Sequence, residues 1–199
     1  MRATRRELIL RGGIAAGAVA AASALPASAD AAAAAVPETD AELLARTLQI
    51  EQLLVFVYGR VLASNALDPS VAQQVRVLLG QERQHISFLL ESLRALAGTA
   101  PAPPATVEAA EKDLGQHHIH RSLTKIQTQH DGMRLLIDVE SLAEGAYFYA
   151  ISRFSDLVLV RRAVEIMGCE AQHWTVLSAI QHPDKVMISV PYPFVEGSV

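Results

Sequence analysis

Glu82-Arg83-Gln84-His85 and Glu170-Ala171-Gln172-His173 each set a carboxylate and an imidazole three residues apart inside an apolar run. On a helix, residues three apart are neighbours on one face, so both groups can reach one point. One Glu-x-x-His arises readily by chance. This one repeats together with its surroundings. About thirty residues before each copy stands a Glu with a Tyr seven residues after it: Glu51 with Tyr58, and Glu140 with Tyr147. The chain therefore reads as two copies of one helical hairpin whose repeated polar residues point inward.

The flanking sequence supports helices. Leu44, Leu48, Glu51, Leu54, Val55, Tyr58 and Leu62 recur at helical steps, as do Val75, Leu78, Leu79, Glu82, His85, Ile86, Leu89 and Leu93. The second half repeats this with Met133, Leu136, Ile137, Glu140, Ala143, Glu144 and Tyr147, then Ala163, Ile166, Met167, Glu170, His173, Trp174 and Leu177. The spacing predicts helices over about 37–64, 69–97, 131–154 and 157–180. Thr39 or Asp40, Asp68 before Pro69, and Asp156 are the expected N-caps, and Gly98 is the expected stop of the second helix. Residues 98–106 read as a loop. Residues 107–128 read as a crossover with two short helical pieces, and its His117, His118 and His120 read as exposed polar surface. Pro183 ends the last helix, and 183–199 is expected to be an extended tail. The fold class is all-α: a four-helix bundle of two antiparallel pairs joined by a long crossover.

Composition agrees. The 199 residues are 51% hydrophobic but only 5% aromatic, which favours helices packed on helices over a β-sandwich. The formal charge is −4 and no basic run exists, which argues against nucleic acid. The single cysteine, Cys169, allows no intramolecular disulfide and no Cys-x-x-Cys metal site. It and Trp174 are read as core residues.

The N-terminus reads as a targeting segment. Thr4-Arg5-Arg6-Glu7-Leu8 resembles a twin-arginine motif, Gly12 to Leu25 is weakly apolar, and Ala27-Ser28-Ala29 offers small residues for cleavage. Residues 1–29 are taken as an export signal and 30–36 as an Ala-rich linker. The expected partner is the twin-arginine export machinery. The expected place is the periplasm, cell envelope or exterior, with no stable membrane span after cleavage.

Four inward carboxylates repel one another and need compensating positive charge. Two divalent cations would supply it, and oxygen-rich ligation with some nitrogen suits iron or manganese. One Glu from each of two helices plus Glu-x-x-His from the other two is the ligand pattern of di-iron and di-manganese helix bundles. On these residues the bundle, 37–182, resembles the ferritin-like superfamily. With its leader the chain is similar to exported bacterial members, some of them related to plant desiccation proteins.

The resemblance implies two Fe or Mn ions held by Glu51, Glu82, His85, Glu140, Glu170 and His173. Glu144, one turn from Glu140, is kept as a substitute or supporting carboxylate. The repeat favours Glu140, because Val55 stands where Glu144 would have its counterpart. Tyr58 and Tyr147 are candidates to hydrogen-bond the ligand carboxylates. The implied activity is a reaction with O₂ or peroxide. The alternative is a non-catalytic stress-related envelope bundle with structural metal or none. The pattern leaves room for a homo-oligomer and shows no feature specific to an iron-storage cage.

Overall fold

The computed structural model describes residues 37–190, and all six of their regular elements are helices. They are α1 (Asp40–Ala63), α2 (Pro69–Ala95), α3 (Val107–Gln116), α4 (Gln129–Ile151), α5 (Leu157–Gln181) and α6 (Val186–Ser189). The leader and linker expected over 1–36 lie outside the described residues, as does 191–199. No described helix is long and apolar enough to cross a membrane.

Helix starts are set by side chains that satisfy free N–H groups. Thr39 caps α1 in a reciprocal capping box with Glu42, and Thr128 does the same for α4 with Asp131. Asp156 caps α5 by accepting from the Val158 N–H at 2.7 Å. Asp68 stands at the α2 N-cap, but its side chain makes no capping bond, so Pro69 in the first turn sets the start.

The end of α2 departs from expectation by one residue. Ala97, not Gly98, takes the left-handed conformation, at φ 54°. The Gly98 N–H bonds Leu93 O at 2.9 Å and the Ala97 N–H bonds Arg94 O at 3.0 Å, which is a complete Schellman motif. Gly98 is needed for space, because a Cβ there would lie 2.3 Å from Leu93 Cδ1.

α1 and α2 form one antiparallel hairpin and α4 and α5 the other. The hairpins meet through α1 and α4, which also run antiparallel. Asp40, in the first turn of α1, accepts from the Ser155 N–H at 2.8 Å just beyond α4. At the other end of this contact, a Cβ on Gly132 of α4 would lie 3.0 Å from Val61 of α1, so glycine permits the close approach. The faces between carry the core, with Leu44, Leu48, Leu54, Val57, Val61, Leu136 and Val139 at 1% exposure or less. At about 1.5–3 kcal/mol per buried aliphatic side chain, this apolar stripe is the main source of bundle stability.

The crossover holds one helix, α3, not two. α3 ends in its own Schellman motif, with His118 left-handed at φ 61° and the Ile119 N–H on Leu114 O at 3.0 Å. The chain from 119 to 128 is turns and irregular backbone. Glu111 fastens it by accepting from the Leu123 N–H at 2.7 Å and the Ser122 hydroxyl at 3.0 Å. The tail is also not wholly extended: α6 adds one turn after Pro183 and packs on α5. Trp174 is half-buried beside α6, in a pocket it shares with Ser178, His182 and Ile188, and does not fill the core.

Candidate metal centre

α1, α2, α4 and α5 each bring one glutamate to the bundle axis. Glu51, Glu82, Glu140 and Glu170 are all at 0% exposure. Each stands on its helix's apolar stripe, so the packing that builds the core also drives the carboxylate inward. His85 and His173, one turn beyond the glutamates of α2 and α5, complete the cluster, with ring centroids 6.2 Å apart and nearly parallel.

The six residues divide into two overlapping groups. In one, ligand-type atoms of Glu51, Glu82, His85 and Glu170 lie within 4.8 Å of one another. In the other, those of Glu82, Glu140, Glu170 and His173 do. Glu82 and Glu170 belong to both, each turning one oxygen to either side. His85 Nδ1 is 3.2 Å from Glu82 Oε2 and 2.8 Å from Glu170 Oε1. His173 Nδ1 is 2.6 Å from Glu82 Oε1 and 3.5 Å from Glu170 Oε2. Glu51 and Glu140 stand at the outer ends, 3.7 Å from His85 Nδ1 and 3.6 Å from His173 Nδ1.

This donor set fits divalent cations. Buried polar atoms are ordinarily hydrogen-bonded. Here Glu51 Oε2, Glu82 Oε1, Glu140 Oε2, both Glu170 oxygens and His173 Nδ1 have no aligned partner. His173 Nδ1 and Glu82 Oε1 are close enough to bond yet point past each other. Lone pairs that converge on shared space without meeting are what a cation requires.

Electrostatics tell the same story. Burial first, then Glu170 and Glu82, raise the Glu51 carboxyl well above its ordinary range. Burial also raises Glu140, with His173 opposing and Glu170 and Glu82 adding to the rise. Burial disfavours charge on His85, but Cys169, Glu170, Glu82 and Glu51 push its pKa up to about 12. The same contest, through Cys169 and the carboxylates, raises His173. Burial would raise Glu170, but the two imidazoles pull it down to about 2. By itself the chain balances its carboxylates with protons, the role that metal charge would take over.

The tyrosines cross between hairpins. Tyr58 of α1 donates to Glu140 of α4, and Tyr147 of α4 donates to Glu51 of α1 at 2.6 Å. Glu144 is half-buried, belongs to neither group, and is raised to about 7 by burial and Glu170. The exposed His117, His118 and His120 line a separate pocket with Arg121 and Asp138 and join no such ligand group.

Two neighbours escaped the sequence reading. Gln81 Oε1 lies 2.6 Å from His173 Nε2. Cys169, expected in the core, is half-buried with Sγ 3.3 Å from the same nitrogen. His173 first and His85 next bring the pKa of this thiol down to about 7, with burial opposing more weakly. Both residues immediately precede a repeated Glu, and both stand four residues before a His. That spacing was the available signal.

An antiparallel helical bundle enclosing four carboxylates and two imidazoles defines a helical protein with a site compatible with metal. The chain belongs to the family of ferritin-like domains, whose model matches residues 39–182. No curated protein and no solved structure matches it significantly.

Proposed function

We propose that the chain holds two iron or manganese ions at its axis and reacts with O₂ or peroxide as an exported protein of the cell envelope or exterior. The observation that carries this is the pair of ligand groups sharing Glu82 and Glu170. Glu51 and His85 would complete one position, Glu140 and His173 the other. Bound there, iron or manganese would supply reversible one-electron chemistry at two adjacent points.

The chain's own part is positioning and access. Tyr147 and Tyr58 fix the outer carboxylates Glu51 and Glu140, each from the opposite hairpin. An opening of about 240 Å³ between α2 and α5, lined by Gln84, His85, Phe88, Arg162, Glu165 and Ile166, brings solvent to the His85 edge. Its size suits a small oxidant. Peroxide disproportionation fits such a centre because it needs no outside reductant. Export through the twin-arginine route would carry the bundle already folded around its metals.

The test is peroxide consumption, and ferrous oxidation under O₂, by metal-loaded protein against the same concentration of free metal. Turnover above free metal is expected. Metal-loaded protein that does neither would leave the structural, non-catalytic role.

A further inference from the structure

The two halves of the centre are not equivalent, and we infer that Gln81 makes them so: it is a positioning residue that fixes His173 and gives the Glu140–His173 position the tighter hold on metal. The inference rests on the dinuclear reading above. It concerns what lies behind the imidazoles, on the side away from the carboxylates.

Gln81 Oε1 can only accept a hydrogen bond, so at 2.6 Å it requires a proton on His173 Nε2. That choice of tautomer leaves the Nδ1 lone pair for the carboxylate side, where Glu82, Glu140 and Glu170 converge. The position related to Gln81 by the repeat is Cys169, directly before Glu170. Its Sγ lies 3.3 Å from the same His173 nitrogen, and a thiol is a weak acceptor, so among the described residues no amide is hydrogen-bonded to His85 as Gln81 is to His173.

Exposure runs the same way. The His173 side chain is 2% exposed and all four members of its group are buried, whereas His85 is 11% exposed and faces the opening beside Phe88 and Arg162. One position is thus enclosed with its imidazole backed by an amide, and the other stands at the entrance with its imidazole held from the carboxylate side. Hydrogen-bond partners behind a ligand histidine are worth about 10–100-fold in metal affinity.

The experiment is a titration of metal-free protein with manganese(II), counting free ion by its electron paramagnetic resonance. Wild type should bind in two resolved steps. Gln81→Leu should weaken the tighter step by about 10–100-fold and leave the weaker one, and Gln81→Glu, which restores an acceptor, should recover it. Equal weakening of both steps, or of neither, overturns the inference while leaving a dinuclear site. No manganese bound by wild type overturns the dinuclear reading and the inference with it. Should Gln81→Leu not fold, long-range ¹H–¹⁵N spectra of zinc-loaded wild type decide. Metal on His173 Nδ1 with hydrogen on Nε2 supports the inference, and metal on Nε2 overturns it.

Discussion

Tyr147 holds Glu51 from the opposite hairpin, its hydroxyl 2.6 Å from Oε1 at a place where both residues are almost wholly buried. The mirror bond joins Tyr58 to Glu140. The repeat is therefore interlocked: each hairpin supplies an outer carboxylate and the hydroxyl that fixes its counterpart. Tyr147→Phe should weaken metal at the His85 position by about 10-fold or more, and Tyr58→Phe at the His173 position. Stepwise manganese titration of the two variants checks this. Identical profiles would contradict the crossed pairing.

Shared and outer carboxylates should differ in consequence. Glu82→Gln or Glu170→Gln removes charge from both positions and should lose both metals. Glu51→Gln should lose one. Glu144→Gln should lose none, because Glu144 belongs to neither group. Elemental analysis after gel filtration gives the count for each variant.

The stability that metal adds should grow with pH. In the metal-free chain Glu51 and Glu140 have raised carboxyl pKa values. Their contribution is full below the unfolded value and is lost as pH rises through the folded one. His85, raised to about 12, adds stability present below about 6.5 and lost upward from there. Glu170, lowered to about 2, loses its contribution only as pH falls below its unfolded value, well under neutrality. Raising pH from about 5.5 to about 8.5 should therefore lower the metal-free Tm. Metal needs unprotonated ligands and binds better over that range. Calorimetry should show the gap between loaded and metal-free protein widening with pH, and a constant gap would count against the site.

The end of α2 offers a test away from the centre. Ala97 pays for a left-handed backbone that glycine adopts freely, so Ala97→Gly should stabilise by about 1 kcal/mol. Gly98→Ala should destabilise by about 1–3 kcal/mol, because its Cβ would meet the buried Leu93. Chemical denaturation of both variants checks the pair.

The four helices and the six inward residues were legible because helical periodicity is local: Glu82 and His85 share a face wherever the helix goes. Partnership was not legible in that way. Tyr58 reaches Glu140, and Gln81 reaches His173, only because α1 packs on α4 and α2 stands beside α5, which spacing along one helix does not encode. Cys169 was misplaced for a related reason. A thiol suits a core, but the thin seam between α2 and α5 leaves it half-exposed beside an imidazole. The second crossover helix failed because Glu111 and the turn at His118 organise 119–128 without helical bonds. The twin-arginine reading of the leader rests on residues outside those described.

Glu82 and Glu170 would each serve both of the proposed metal positions. The most direct test of this is the metal content of purified native protein, counted per chain by elemental analysis alongside Glu82→Gln. Two iron or manganese ions per chain in the wild type, lost in the variant, is the expected result. Wild-type protein that is folded yet holds none, and takes up none on incubation with either ion, would contradict it.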